Sequence, residues 1–85
     1  MKLYSVGAKW CSGCAVQKAL LKNLNVFEKF EYVDIDENME FANKYGIRSI
    51  PQLLLVDDDG VLIKSFGSTA SKETILSMVN DASVG

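Results

Sequence analysis

The chain has 85 residues, is 48% hydrophobic and carries a formal net charge of -2. This length supports one domain with a modest core, so residues 1–85 are predicted to form a single domain. The 9 basic residues are scattered among 11 acidic ones and form no basic stripe for a nucleic acid. No run approaches the roughly 18 apolar residues of a membrane span, and the first residues lack a signal-peptide core. We therefore expect a cytoplasmic protein with neither a nucleic acid nor a membrane as partner.

The first elements predicted along the chain are a strand and a helix. Residues 2–6 are apolar or small after Lys2 and end at Gly7, a pattern typical of a short buried strand. After Cys14 the apolar residues Val16, Leu20 and Leu24 recur at helical spacing. The spacing predicts a surface helix of about three turns that buries these residues and exposes Gln17 on its opposite face.

The rest of the chain predicts a strand, a short helix, a hairpin and a last helix. These segments are residues 31–36, 41–45, 52–56 with 61–66, and 71–79, and the tail 82–85 is expected to be frayed. Gly46 is placed to end the short helix, and a Ser-x-x-Thr cap at Ser71 begins the last. The order βαβαββα predicts an α/β fold, in which a four-stranded mixed sheet is flanked by three helices.

The only two cysteines, Cys11 and Cys14, fall where the first strand passes into the first helix. A helix N-terminus offers free N–H groups and a positive dipole end, which stabilise a thiolate. Cys11 is placed to receive both, while Cys14 lies one turn further on the same face. We therefore expect Cys11 to attack substrate disulfides and Cys14 to resolve the mixed disulfide, with no cofactor beyond a reversible Cys11–Cys14 disulfide.

The two cysteines have two alternative roles, in a metal site or as inert buried residues. A zinc ion or an iron-sulfur cluster needs about four ligands, and the chain has no histidine and no third cysteine, so no metal is expected unless a second subunit supplies ligands. Two inert buried cysteines are the second alternative, since cysteine is often buried. The sequence around the only proline helps to choose between a redox pair and these two alternatives.

Pro51 begins the apolar run 52–56, where a missing N–H group is normally penalised. The stretch Trp10 to Cys14 reads WCSGC, and residues 44–67 read KYGIRSIPQLLLVDDDGVLIKSFG. The first stretch resembles the WCGPC signature of the thioredoxin family. The second resembles the family's segment from the second helix through the cis-proline strand to the glycine after the hairpin. The likeness covers residues 2–82, and the chain is similar to a minimal, glutaredoxin-sized form of the fold.

The resemblance implies roles for individual residues. Cys11 is the implied nucleophile, Cys14 the resolving thiol and Pro51 a cis-proline facing them. The implied substrate-contact surface and active-site turn comprise Trp10, Ser49, Ile50, Pro51 and Gly67, together with Ser12 and Gly13 between the cysteines. An extended substrate segment is expected to pair with backbone beside the proline, which implies broad specificity.

Two departures from the family concern the proton of Cys14. The family usually has a buried aspartate six residues before the first cysteine and a lysine near it on the next strand. This chain has Ser5 and Tyr32 at those positions. Proton transfer at Cys14 must therefore use water, a hydroxyl or a carboxylate that the sequence does not identify.

The function implied by the resemblance is that of a monomeric protein-disulfide reductase. Its expected partners are a thioredoxin-reductase-type flavoenzyme and disulfide-containing proteins such as ribonucleotide reductase. Three alternatives stay open: a glutathione-dependent, glutaredoxin-like reductase, a non-catalytic binding module, and an oxidase or isomerase. The first is disfavoured because two motifs common in glutaredoxins are absent. Ser49-Ile50-Pro51 stands in place of their Thr-Val-Pro, and Gly67-Ser68-Thr69 in place of their Gly-Gly before an acidic residue.

Overall fold

A computed structural model describes residues 1–84. Its elements are β1 (Lys2–Gly7), α1 (Ser12–Asn23), a 3-10 turn (Phe27–Lys29), β2 (Phe30–Asp34), α2 (Met39–Lys44), β3 (Gln52–Val56), β4 (Leu62–Phe66) and α3 (Lys72–Val84). The predicted order βαβαββα is confirmed. No helix among residues 1–84 has the length and apolar character needed to cross a membrane.

The four strands form one mixed sheet in the order β2-β1-β3-β4. β1 pairs parallel with β2 through the α1 crossover and antiparallel with β3, and β4 completes a hairpin with β3. The predicted four-stranded mixed sheet with three helices is therefore confirmed. β1 lies between β2 and β3. The turn that follows its carboxyl end therefore lies at the end of the sheet, with β2 on one side and β3 on the other.

Apolar layers cover both faces of the sheet. One layer packs α1 and α3 against the sheet through residues such as Leu21, Leu53 and Ile75, all 0% exposed. The other contains Val6 and Leu54 and is closed by side chains from α2 and the loop after it. Successive residues of β3 point to opposite faces, so the continuous run of leucines fills both layers.

The predicted buried face of α1 was wrong for Val16 and Gln17, whereas Leu20 and Leu24 do pack against the core. Cys14, Gln17 and Leu21 are buried, whereas Val16 is 57% exposed. Gln17 lies inside because its Oε1 accepts a hydrogen bond of 2.7 Å from the amide of Ala70, in the loop before α3. This bond replaces part of the hydration that the side chain loses, although Nε2 has no hydrogen-bond partner within residues 1–84, and helical periodicity does not reveal the bond.

The ends of the helices follow local sequence signals. Gly46, just after α2, has φ +63, a conformation that glycine adopts without strain. The amide of Thr74 donates 3.3 Å to Ser71 Oγ at the start of α3, as the cap motif predicts. The frayed tail was wrong for residues 82–84, because α3 continues to Val84. Gly85, also part of that prediction, lies outside the described residues.

Candidate active site

Cys11 and Cys14 form a disulfide at the start of α1. Cys11 is the N-cap residue, and its Sγ accepts a hydrogen bond of 3.1 Å from the amide of Cys14. Within residues 1–84, the amide of Gly13 makes no hydrogen bond to this sulfur. Cys11 is partly exposed, whereas Cys14 is only 7% exposed. The two sulfurs therefore differ in their access to a substrate.

The charges at the start of α1 suit an anionic sulfur. No acidic residue lies in the first turn of this 12-residue helix. The helix dipole and the amide of Cys14 both direct positive charge towards Cys11 Sγ. Cys11 is therefore the sulfur at which the local electrostatics favour the thiolate.

The cis-proline and the cysteine turn are in contact. The peptide bond between Ile50 and Pro51 is cis, as the resemblance implies. A Cβ atom at Gly13 would lie 3.2 Å from Pro51 Cδ and 3.8 Å from Thr69 Oγ1. Gly13 thus allows the turn, the proline segment and the loop after β4 to approach one another closely.

The predicted contact surface is completed by the loop after β4. Ser49 Oγ donates to the carbonyl of Gly67 over 3.4 Å, and both residues are exposed. Ser49, Ile50, Pro51 and Gly67 therefore lie in adjoining segments beside the cysteine turn. Thr69 also lies there, and no sequence pattern singled it out.

Trp10 is held beside the cysteine turn by Asp36. Its indole Nε1 donates 2.9 Å to Asp36 Oδ2, while 68% of the residue is exposed. Asp36 does not cap the nearby helix α2, whose N-cap is Asn38. Asp36 therefore positions an exposed aromatic ring next to Cys11.

A cleft of about 430 Å³ lies beside Cys14 and is lined by polar side chains. These include Cys11, Cys14, Lys18, Tyr32, Asp34 and Glu37. Burial, followed by the negative charges of Asp34 and Glu37, raises the pKa of the Tyr32 hydroxyl above its ordinary value. A larger cavity of about 580 Å³ lies between the start of β1 and the end of α3, away from the cysteines.

Ser5 and Tyr32 occupy the positions at which the family usually has its aspartate and lysine. Ser5 is buried and pairs in register with Tyr32, but it does not line the cleft. Asp34 does line it and is only 7% exposed. No local sequence pattern associates Asp34 with Cys14, because the two residues belong to β2 and α1.

Gly7, at the end of β1, lies directly beneath Cys14 and Tyr32. A Cβ atom there would lie 3.0 Å from both Cβ and Sγ of Cys14 and 3.2 Å from Tyr32 Oη. Both neighbours would have to move to admit a methyl group. Because Gly7 has no side chain, Cys14 and Tyr32 can both pack closely against it.

We expect Gly7→Ala to lower the free energy of unfolding by about 1 to 3 kcal/mol, the usual cost of overpacking. Gly67→Ala is the matched control, because its Cβ atom would meet Ser49 Oγ at an ordinary 3.5 Å. Urea unfolding of both variants measures the difference. Equal stability of the two variants would contradict the close approach at Gly7.

Comparisons with known proteins agree with this geometry. The family model described as Thioredoxin matches residues 3–81. A thioredoxin from Bacillus subtilis is 39% identical over 77 residues, which cover 86% of this chain and 73% of that protein. Among solved structures, thioredoxin 1 of Thermosipho africanus has a TM-score of 0.71 at 20% identity, covering 95% of this chain and 92% of its own.

A third relative is the solved structure of a reduced thioredoxin from Schistosoma mansoni. It has a TM-score of 0.76 at 26% identity and covers 93% of this chain and 75% of its own. The family match, the sequence relatives and the cysteine pair at the start of α1 lead to one conclusion. The chain belongs to the thioredoxin family and is a thiol-disulfide oxidoreductase with a Cys11–Cys14 redox pair.

Proposed function

We propose that the protein is a dithiol reductase of protein disulfides, in which Cys11 attacks and Cys14 resolves. The observation that carries this proposal is the asymmetry of the pair. Cys11 Sγ is partly exposed and accepts the Cys14 amide at 3.1 Å, while Cys14 is 7% exposed beneath it. A substrate reaches the first sulfur, and only an intramolecular reaction reaches the second.

The reaction begins from the reduced dithiol. The Cys11 thiolate attacks one sulfur of a substrate disulfide, so that a Cys11–substrate bond forms and the other substrate sulfur leaves as a thiolate that takes up a proton. Cys14 then loses its proton and attacks Cys11 Sγ. The mixed disulfide breaks, the Cys11–Cys14 disulfide forms, and the second substrate sulfur leaves and is protonated. The substrate gains two electrons and the protein loses two.

The open surface around Cys11 supports broad protein specificity. Trp10, Ser49 and Gly67 are exposed, and Ile50 precedes the cis bond in the segment beside the cysteines. An extended substrate segment can hydrogen-bond to the backbone there, and such pairing depends little on the sequence of the substrate. Ser12 and Gly13 shape the turn that presents Cys11. We assign no metal or organic cofactor to this reaction.

The return to the dithiol needs an electron donor. We propose a thioredoxin-reductase-type flavoenzyme as that donor and disulfide-containing proteins such as ribonucleotide reductase as acceptors, with the chain acting as a cytoplasmic monomer. Glutathione is the donor in the glutaredoxin-like alternative. A thioredoxin-type reductase should turn over with the flavoenzyme and not with glutathione, and a glutaredoxin-like reductase should do the reverse.

The test is reduction of a disulfide-containing protein, with dithiothreitol, glutathione or a flavoenzyme reductase and NADPH as separate electron sources. We expect turnover with dithiothreitol and with the flavoenzyme, and a rate with glutathione no more than about a tenth of these. The midpoint potential of the Cys11–Cys14 couple should lie below that of glutathione. A potential well above glutathione would favour an oxidase, and no turnover with any donor would favour a binding module.

A further inference from the structure

The resolution step, which rests on the function proposed above, needs a group that takes the proton of Cys14. That residue is 7% exposed, so bulk water has little access to its sulfur. Burial in a poorly hydrated site also disfavours the thiolate unless a neighbouring group accepts the proton. The side chains that line the cleft beside Cys14 are therefore the candidates.

Asp34 is the most buried carboxylate in that cleft. Its Cα pairs in register with Gly7, the residue over which Cys14 Sγ lies. The amide of Asp36 donates 2.8 Å to Oδ1 and fixes the orientation of the carboxylate. Across residues 1–84, no other hydrogen bond reaches this side chain. One oxygen is thus held in place, and the carboxylate can still accept a proton.

Tyr32 brings a hydroxyl to the same place. Side chains two residues apart on a strand share one face, so Tyr32 and Asp34 both face α1. The Tyr32 hydroxyl oxygen and Cys14 Sγ both lie within 3.2 Å of the position that a Cβ atom would take at Gly7. Since its pKa is raised, the Tyr32 hydroxyl stays protonated at neutral pH and can donate one hydrogen bond while accepting another.

We propose that the Asp34 carboxylate accepts the proton of the Cys14 thiol during resolution, with the Tyr32 hydroxyl as the hydrogen-bonding neighbour that positions the thiol. The proton moves from Cys14 Sγ to Asp34 as the sulfur attacks Cys11. Asp34 then gives this proton to the departing substrate thiolate, either directly or through solvent water. Asp34 returns to the carboxylate, and the overall two-electron balance is unchanged.

Three other charged side chains line the cleft, and each contributes to its electrostatic potential. Lys18 faces it from α1, with Nζ 5.3 Å from the centre of the Tyr32 ring. Lys9 and Glu37 face it from the loops after β1 and β2 and form an exposed ion pair of 3.9 Å. These three side chains are exposed, so solvent screens their effect, whereas Asp34 is buried and lines the same cleft as Cys14.

The test separates formation of the mixed disulfide from its resolution. The reduced protein is mixed with a disulfide substrate, quenched with acid at intervals and analysed by mass spectrometry. Asp34→Asn keeps an oxygen for the Asp36 amide but loses the basic group. We expect it to slow resolution by about 100-fold, the low end of general-base effects, while formation changes by no more than about twofold.

Dependence on pH gives a second readout that a structural defect would not reproduce. With the carboxylate removed, hydroxide must take the proton. The resolution rate of Asp34→Asn should then rise about tenfold per pH unit near neutrality, whereas the unaltered protein changes little. Asp34→Glu should recover part of the rate, and Tyr32→Phe should slow resolution by about three- to tenfold.

Glu31→Gln is the control, because Glu31 is an exposed carboxylate on the same strand that does not line the cleft. Its resolution rate should equal that of the unaltered protein. Resolution of Asp34→Asn at the unaltered rate and with the same pH profile would overturn the assignment of Asp34. An unaltered rate in Tyr32→Phe would overturn the role of Tyr32. If the unaltered protein forms no mixed disulfide at all, the proposed function itself fails.

Discussion

Replacement of Cys14 by serine will leave substrate proteins covalently attached to Cys11. Without the second thiol, the mixed disulfide cannot be resolved from within the protein, and steady-state turnover should fall by at least about 10³-fold. Cys11 remains partly exposed at the start of α1 and keeps the 3.1 Å hydrogen bond from the amide of residue 14. Non-reducing electrophoresis and mass spectrometry of a mixture with substrate should show a 1:1 adduct.

The reciprocal variant, Cys11→Ser, is the matched control. It removes the exposed sulfur and leaves Cys14, which is only 7% exposed. We expect neither turnover nor a substrate adduct. An adduct on Cys14 in this variant, with none on Cys11 in the other, would reverse the assigned roles. The two serine variants therefore decide which sulfur attacks.

The second large effect is expected on stability, from Leu21→Ala. Leu21 is 0% exposed and belongs to the layer that joins α1 and α3 to the sheet. Its replacement removes buried methyl groups and leaves a cavity, which costs about 2 to 5 kcal/mol. For a domain of this size, we expect the midpoint of thermal unfolding to fall by about 10 °C or more.

Val16→Ala is the matched control on the same helix. Val16 is 57% exposed, so its replacement should change the free energy of unfolding by less than about 0.5 kcal/mol. Chemical unfolding of the two variants compares the two faces of α1. A larger loss from Val16→Ala than from Leu21→Ala would mean that the face predicted by periodicity is the buried one after all.

The order of elements was predictable because it depends on neighbours along the chain. Periodicity of two or of about 3.6 residues, together with Gly46 and the cap at Ser71, marked each element and most of its ends. The strand-helix-strand order also fixed the parallel pairing of β1 with β2, since a crossover helix joins parallel strands. The position of the cysteines followed from this order, because they stand where β1 leads into α1.

Periodicity failed on the first helix for a specific reason. Val16, Leu20 and Leu24 formed an acceptable apolar stripe, yet the buried stripe contains Gln17 and Leu21. The choice depends on the amide of Ala70, 53 residues away, which bonds to Gln17 Oε1. Hydropathy assigns glutamine to the surface because it does not include this partner.

The sequence by itself therefore determined the redox pair, the element order and the sheet class, since each depends on residues close together in the chain. Only the tertiary structure decided which groups surround Cys14. Gly7 lies beneath its sulfur, Tyr32 and Asp34 come from β2, and the cleft they share is created when the β1-α1-β2 unit closes. Such contacts join distant segments, and no local pattern encodes them. The tertiary structure thus assigns to β2 the proton acceptor that the sequence left unidentified.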